Sequence, residues 1–183
     1  MRIITGIYKG RTLTTVKDNS VRPATDRVKG SIFNMLQNRI DLNGALVLDL
    51  FAGSGSLGFE ALSRGAERVT FVDDQKSALD SLERNAESLG CTDQCEIIEE
   101  DAMTFLRRAG ARRFDLIFAD PPYAWDAIAT LPAEIIARGL LQRSGLLIIE
   151  HSKQAAFAPS DAFAAPLTRE FGNTRVSFFT QGA

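Results

Sequence analysis

The sequence predicts an α/β protein with a mostly parallel sheet of seven strands and helices on both faces. From residue 45 onward, short apolar runs alternate with longer segments of helical periodicity, as in strands joined by crossover helices. A glycine-rich loop follows the first apolar run, as in α/β proteins that bind nucleotides. The last two runs alternate apolar and polar residues around Gly172-Asn173, which predicts a C-terminal antiparallel hairpin.

A small N-terminal extension, residues 1–43, is predicted ahead of the main domain, residues 44–183. Within it, runs at 3–5 and 12–16 flank a glycine-containing turn and predict a β-hairpin. A helix of about three turns should follow, with Thr25 as its N-cap.

The main domain is predicted to alternate strands and helices. The candidate strands are 46–50, 69–73, 95–98, 114–119 and 146–150, followed by the hairpin strands 167–171 and 175–180. The candidate helices are 57–64, 75–89, 102–108 and 127–138. Such alternation makes the first five strands parallel and directs ligands to their carboxyl ends.

The composition is that of an ordinary globular protein, with 45% hydrophobic and 24% charged residues. No apolar run approaches the roughly 20 residues that a membrane span needs, and the N-terminus lacks the features of a signal peptide. Cys91, Cys95 and His151 are too few for a zinc site and do not suggest a disulfide framework. We therefore expect a cytoplasmic protein without a membrane or metal partner.

A net charge of −2 conceals a basic N-terminal part. Residues 1–39 contain eight Lys or Arg against two Asp, whereas the remainder contains 13 basic and 21 acidic residues. This asymmetry favours a polyanion-binding extension, although a solvated basic face explains it equally well. A second basic cluster is better interpreted as a solvated helix end, with polyanion contact as the alternative. Its members are Arg107, Arg108, Arg112 and Arg113.

The glycine loop predicts a nucleoside ligand. Gly53, Gly55 and Gly58 satisfy the G-x-G-x-x-G pattern between a strand and a helix. Asp73 ends the next strand at the distance expected of a ribose-binding acid. This pattern alone does not distinguish a dinucleotide from S-adenosylmethionine. Asp49, just before the loop, favours the latter because a carboxylate suits a cationic amino group and a sulfonium better than a pyrophosphate.

Two neighbouring acids leave alternatives open. Asp101 follows the third strand and could accept a hydrogen bond from an adenine amino group, or it could be a solvated acid in the cluster 99–101. Asp74 adjoins Asp73, and either carboxylate could bind the ribose.

The turn Asp120-Pro121-Pro122-Tyr123 ends the apolar run 114–119. Proline lacks a backbone N–H, so the two prolines end the strand and stiffen the turn. A carboxylate, a fixed carbonyl and an aromatic ring at the end of a strand suit a flat substrate that carries an amine. The ring would stack on the substrate while the two acceptors bind the amine hydrogens. A strand that simply ends in a Pro-Pro turn is the alternative.

The glycine loop and the DPPY turn together resemble those of Rossmann-like class I methyltransferases, which depend on S-adenosyl-L-methionine and modify exocyclic amino nitrogens. The segments RIITGIYKGRTL and RPATDRVKGSIFNML further resemble the bacterial RsmD family, which methylates N2 of a guanine in 16S ribosomal RNA. The resemblance extends from Arg2 to about Phe179. It implies 16S RNA as substrate, either naked, in the 30S subunit or in an assembly intermediate.

The resemblance also implies roles for individual residues. The cofactor would be held by Asp49, Phe51, Ala52, Gly53, Ser54, Gly55, Asp73 or Asp74, Asp101 and Ala102. The target base would be faced by Asp120, Pro121, Pro122 and Tyr123, with Trp125 as a candidate lining residue. RNA phosphates would be contacted by Arg11, Arg22, Arg27 and Lys29. Positioning should be the main catalytic effect, since an Asp with an ordinary pKa is a weak base.

Three other functions remain possible from the sequence. A DNA adenine-N6 or cytosine-N4 methyltransferase has a similar turn, but the chain has no sizeable extra segment for reading DNA. An oxidoreductase would explain the glycine loop and leave the DPPY turn unexplained. A non-catalytic ribosome-assembly protein could bind RNA and keep the cofactor fold.

Overall fold

A seven-stranded sheet forms the centre of the protein in the computed structural model, which describes residues 1–15 and 26–182. The strands are β1 (Leu46–Leu50), β2 (Arg68–Asp73), β3 (Cys95–Glu99), β4 (Phe114–Ala119), β5 (Leu141–Ser152), β6 (Leu167–Phe171) and β7 (Thr174–Phe179). Their order is β3-β2-β1-β4-β5-β7-β6. The first five strands are parallel, and β7 is antiparallel to both β5 and β6, which confirms the predicted fold class.

Helices cover both faces of this sheet. They are α1 (Asp26–Leu36), α2 (Ser56–Ser63), α3 (Lys76–Leu89), α4 (Ala102–Arg108) and α5 (Leu131–Ala137), with short 3-10 turns at Thr92–Gln94 and Asp126–Ala129. One hydrophobic cluster joins the sheet to α1, α2 and α3, and a second joins it to α4 and α5. Among the described helices, none is long and apolar enough to cross a membrane.

The sheet has its topological switch point at β1. This strand pairs with β2 on one side and with β4 on the other, so the chain crosses over in opposite directions from it. Ligands of open α/β sheets bind at the carboxyl ends of the strands beside such a point. The glycine loop after β1 and the DPPY turn after β4 both lie there.

The predicted N-terminal hairpin forms but is short. Arg2 and Thr12 make an antiparallel bridge, and the Ile3 N–H donates to the Arg11 carbonyl at 3.0 Å. The chain does reverse direction, but the N–H groups of Ile4 and Thr5 donate to the Glu60 carboxylate in α2, at 2.7 and 3.0 Å. Residues that bind another element in this way are not free to pair with each other. The predicted N-cap, Thr25, lies outside the described residues.

Two other boundaries differ from the prediction. The candidate helix 127–138 is a 3-10 turn followed by α5, because Pro132 in the first turn of α5 has no N–H to continue a helix from the preceding residues. The candidate strand 146–150 is the longer β5, whose first residues pair with β4 across an irregularity in register. The polar residues at 142–144 hid this extension in the sequence.

The N-terminal segment, residues 1–15, is also tied to α3 and to the glycine loop through Asn85. The Asn85 side chain accepts from the Thr14 N–H at 2.7 Å and donates to the Thr14 carbonyl at 3.0 Å. The same amide donates to the Ser54 carbonyl at 3.0 Å. Asn85 is buried, with 1% of its surface exposed. One side chain therefore fixes the N-terminal segment beside the predicted cofactor loop.

Candidate active site

The carboxyl groups near the ends of β1 and β2 organise the glycine loop. The Gly58 N–H, near the start of α2, donates to Asp49 Oδ2 at 2.9 Å. The Gly53 N–H donates to Asp73 Oδ2 at 2.8 Å, and the Gln75 N–H donates to Asp73 Oδ1 at 2.9 Å. A helix N-terminus attracts phosphate through N–H groups of this kind. Because the Gly53 and Gly58 N–H groups already donate to carboxyl oxygens, neither is available to bind a pyrophosphate.

Two glycines of the loop have different structural requirements. Gly55 has a φ of 76°, and a Cβ there would lie 2.6 Å from side-chain atoms of Leu82 and Phe59. Gly53 also has a positive φ, 55°, but its Cβ would meet nothing within 4 Å. Gly55 is therefore required by packing, while Gly53 leaves the loop open to the close approach of a ligand.

The acids predicted to contact the nucleoside differ in exposure. Asp73 is partly buried, whereas Asp74 is exposed and accepts from Gln75 Nε2 at 2.9 Å. Asp101 is the N-cap of α4 and accepts from the Thr104 N–H at 2.8 Å, while Ala102 behind it is buried. The capping role was not predicted, although an Asp before an apolar helix is a recognised signal for it. Asp73, in contact with the loop, is the better placed of the two ribose candidates.

The DPPY turn continues from β4 across the end of β1. The Asp120 N–H points to the Leu50 carbonyl at 3.4 Å, and the Trp125 N–H closes the turn on the Pro122 carbonyl at 2.9 Å. The Tyr123 side chain is 54% exposed. Trp125 packs edge-on against Phe51 with ring centroids 5.0 Å apart. This contact joins the turn to the glycine loop, and the Tyr123 ring stays accessible.

Three carboxyl groups lie on one face of the sheet beneath these loops. Asp49 pairs in register with Phe118, and Phe118 pairs with Ile148. Because alternate residues of a strand share a face, Asp120 and Glu150 lie on the same face as Asp49. Glu150 at the end of β5 was not singled out in the sequence, although its place beside the DPPY strand could be read from the strand alternation.

The environment of these carboxyl groups favours their protonated forms. Burial raises the pKa of Asp49 to about 8, with the nearby Asp73 charge adding to the effect. Burial, followed by the charges of Glu150 and Asp49, raises the pKa of Asp120 well above its ordinary value. Burial also raises the pKa of Glu150. Asp120 therefore differs from the Asp with an ordinary pKa that was expected from the sequence.

The predicted phosphate contacts are dispersed. Arg11 is exposed and donates to the Ser88 carbonyl, and Arg27 is exposed on α1. Arg22 lies outside the described residues. Lys29 is fully buried, donates to the Arg2 carbonyl at 2.7 Å and lies 3.7 Å from Glu60. The prediction that Lys29 contacts phosphate is wrong because its ammonium group is inside the protein.

The second basic cluster is largely engaged within the protein. Arg112 binds both carboxylate oxygens of Glu96, at 2.7 and 2.9 Å. Arg108 pairs with Glu100 at 3.0 Å. These pairings support its interpretation as a solvated structural surface. No group of His, Cys, Asp or Glu among the described residues is arranged to hold a metal ion.

Sequence comparison identifies relatives along nearly the whole chain. The model of the family described as conserved hypothetical protein 95 matches residues 1–180. A Bacillus subtilis protein, YlbH, provisionally named an rRNA methyltransferase, is 39% identical, with 98% of each chain covered. The ribosomal RNA small subunit methyltransferase D of Haemophilus influenzae is 37% identical over 84% of this chain and 79% of its own.

Solved structures share the fold. The Escherichia coli protein yhhF, provisionally described as a methyltransferase, aligns with a TM-score of 0.85 and 28% identity over 100% of this chain and 98% of its own. A Thermus thermophilus protein described as hypothetical aligns with a TM-score of 0.84 and 30% identity over 98% of this chain and 99% of its own. The arrangement of strands around the switch point is therefore shared with these relatives.

Proposed function

The chain belongs to the conserved hypothetical protein 95 family, the RsmD family, and from this we propose that it transfers a methyl group from S-adenosyl-L-methionine to the exocyclic N2 of a guanine in 16S ribosomal RNA. The observation that carries the proposal is the position of the DPPY turn. It places an accessible ring and a basic carboxylate beside a glycine loop whose N–H groups are bound by carboxylates. An oxidoreductase with a dinucleotide needs neither feature.

The cofactor would lie over the glycine loop between β1 and β2. When bound, S-adenosyl-L-methionine supplies a methyl group attached to a cationic sulfur. Asp49 lies beneath the loop, and a cation next to it would favour its ionised form. Asp73 would accept from ribose hydroxyls and Asp101 from the adenine amine. The loop residues Phe51 to Gly55 would line the methionine part.

The target base would lie on the DPPY turn. The amino nitrogen of guanine is a poor nucleophile because its lone pair is delocalised into the ring. Hydrogen bonds from its two N–H groups to the Asp120 carboxylate and the Pro121 carbonyl would favour a pyramidal nitrogen and orient its lone pair. Tyr123 would stack on the base, with Pro122 fixing the turn. A paired base cannot reach such a turn, so the target must be unpaired or flipped out.

The N-terminal extension, residues 1–43, would contact RNA, while residues 44–183 form the catalytic domain. Arg11 and Arg27 have exposed side chains, and Arg22 belongs to the same basic part of the sequence. Contacts of this type give affinity that falls with salt and little reading of sequence. We place the substrate within a 30S subunit or an assembly intermediate, because the extension is small, and place the reaction in the cytoplasm.

The test is transfer of labelled methyl from S-adenosyl-L-methionine to 16S RNA, followed by analysis of the nucleosides. Naked RNA and 30S particles should be compared, each from normal cells and from cells that lack this protein. The expected product is N2-methylguanosine, formed only on substrate from the deficient cells. Labelled N6-methyladenosine or N4-methylcytosine would contradict the guanine assignment. Tight cofactor binding without any transfer would favour a binding role in ribosome assembly.

A further inference from the structure

We propose that Glu150 is a positioning residue that acts through Asp120, with the two carboxyl groups sharing one proton so that Asp120 can accept the proton released by the methylated amine. This inference rests on the proposed methyl transfer, and it adds a residue outside the glycine loop and the DPPY turn.

Strand pairing puts the two carboxyl groups side by side. Ala119 at the end of β4 pairs with Ile149 in β5. Asp120 is the first residue after β4, and Glu150 follows Ile149 in β5. If the alternation of the strand continues by one residue, both side chains lie on the face that carries Phe118 and Ile148. Neighbouring parallel strands are about 4.8 Å apart, so carboxyl groups at adjoining positions interact directly.

The hydrogen bonding of Glu150 is incomplete in a way that points to a shared proton. Its Oε1 accepts from the Thr174 hydroxyl at 3.2 Å. Its Oε2 is buried and has no hydrogen-bond partner among the described residues. A charged carboxylate left in this state is costly, whereas a protonated one can donate to a neighbouring acceptor. The acceptor nearest in the ladder is Asp120. With 7% of its surface exposed, Glu150 acts through Asp120 because the base cannot reach it.

The surrounding charges do not compensate the pair. Asp49 on β1 adds a third carboxyl group to the same face, and β7 contributes the neutral hydroxyl of Thr174. None of the ion pairs formed by the described residues includes Asp49, Asp120 or Glu150. Two adjacent carboxylates without a cation cannot both ionise cheaply, so one proton is retained between them.

The shared proton gives Asp120 a defined task. The lone pair of the amine nitrogen forms the new N–C bond, and the electron pair of the S–C bond stays on sulfur, which becomes a neutral thioether. The nitrogen is then cationic and loses one proton to the Asp120 carboxylate. Because Glu150 holds the shared proton, Asp120 stays ionised before this step and can take up the proton that the nitrogen releases.

The test is a carboxyl titration by NMR on cofactor-free protein with ¹³C-labelled Asp and Glu side chains. The Asp120 signal is assigned by its loss in Asp120→Asn. We expect Asp120 and Glu150 to titrate together in two steps, and Glu150→Gln to lower the upper midpoint of Asp120 by about one pH unit or more. Glu150→Asp keeps a carboxyl group and should preserve the two-step titration.

The exposed glutamate Glu170 provides a matched control, since Glu170→Gln should leave the Asp120 midpoint unchanged. A single-step Asp120 titration in the unmutated protein, or an unchanged midpoint in folded Glu150→Gln, would overturn the proposal. The unmutated protein decides the question even if Glu150→Gln does not fold. These readouts need neither RNA nor cofactor, so they stand apart from a failure of the proposed methyl transfer.

Discussion

At the scale of single residues, burial raises the pKa of three carboxyl groups, those of Asp49, Asp120 and Glu150. Taking a charge out of water is costly unless a cation or a donor compensates it. The cofactor sulfonium and its amino group are such cations, so cofactor binding and proton release from this face should be linked. Cofactor affinity should therefore depend on pH.

We expect Asp120→Asn to lower kcat for methyl transfer by about 100-fold or more, because the amide cannot accept the proton of the methylated amine. Cofactor affinity should change little, since the proposed function assigns Asp120 to the target base and not to the cofactor. Labelled methyl transfer and calorimetric cofactor binding would measure the two effects. Asp126→Asn, an exposed change a few residues further on, is the control and should keep full activity. Full activity in Asp120→Asn would refute the assigned role.

Asp49 should make the stability of the cofactor-free protein depend on pH. Below about pH 4 the carboxyl group is protonated in both the folded and the unfolded states. Between there and its folded pKa of about 8, the folded protein keeps a proton that the unfolded chain has lost. Raising the pH through this range therefore lowers the free energy of unfolding, by about 1.4 kcal/mol per unit of pKa difference.

Asp49→Asn removes this contribution and retains an oxygen for the Gly58 N–H. The free energy of unfolding of the variant should fall less than that of the unmutated protein between about pH 5 and about pH 8. Urea unfolding at both pH values measures the difference. Parallel curves for the two proteins would mean that the Asp49 carboxyl group titrates normally.

Some residues of the site were predictable from sequence and others were not. The glycines and the DPPY turn are contiguous, so their spacing is visible in the chain. Glu150 and Asp120 meet only through the register of β4 and β5, which a single sequence does not specify. Lys29 looked like a surface residue because its burial depends on Glu60, 31 positions later. The Asp120–Glu150 pair and the burial of Lys29 both depend on tertiary contacts, so neither is visible in the sequence.

Element boundaries show the same division between local and distant causes. Strand and helix periodicity located β1 and α4 at their observed bounds. The N-terminal hairpin is shorter than its turn predicts, because the N–H groups of Ile4 and Thr5 bind Glu60 in α2. Pro132 divides the predicted helix 127–138. A proline at this place is itself a sequence signal for the start of a helix.

The loop between β1 and α2 gives a prediction at the element scale. Gly55→Ala should destabilise the protein by about 2 kcal/mol or more, because the new methyl group overlaps Leu82 and Phe59 in addition to straining a positive φ. Gly172→Ala, in the β6–β7 turn, has a similar φ of 60° and nothing within 4 Å. It should cost only the backbone strain, about 1 kcal/mol. Thermal unfolding compares the two, and equal losses would show that packing at Gly55 is unimportant.

Two neighbouring basic residues of α1 should separate folding from RNA binding at the scale of the whole molecule. Lys29→Met removes a buried cation beside Glu60 and should lower the free energy of unfolding by about 3 kcal/mol. Larger losses are typical when a buried carboxylate keeps no cation, but Arg64 also binds Glu60. Arg27→Gln should leave stability unchanged and reduce the salt dependence of RNA binding by about one unit of slope.

Unfolding in urea and RNA binding at several salt concentrations measure these effects on each variant. The design is matched because both changes remove one positive charge from the same helix. A change in salt slope for Lys29→Met without loss of stability would restore Lys29 as a phosphate contact. An unchanged slope for Arg27→Gln would remove Arg27 from the RNA-binding surface.

The attachment of the N-terminal segment has a consequence for synthesis of the chain. Thr14 binds Asn85, which is 71 positions later. At about 5–20 residues per second, a ribosome needs roughly 4–14 s to make the intervening chain. The segment therefore leaves the ribosome well before its partners on α2 and α3 exist, and it can dock only onto a body that has begun to fold. The N-terminal segment, with Arg11, therefore takes its place beside the glycine loop only after α2 and α3 have been made.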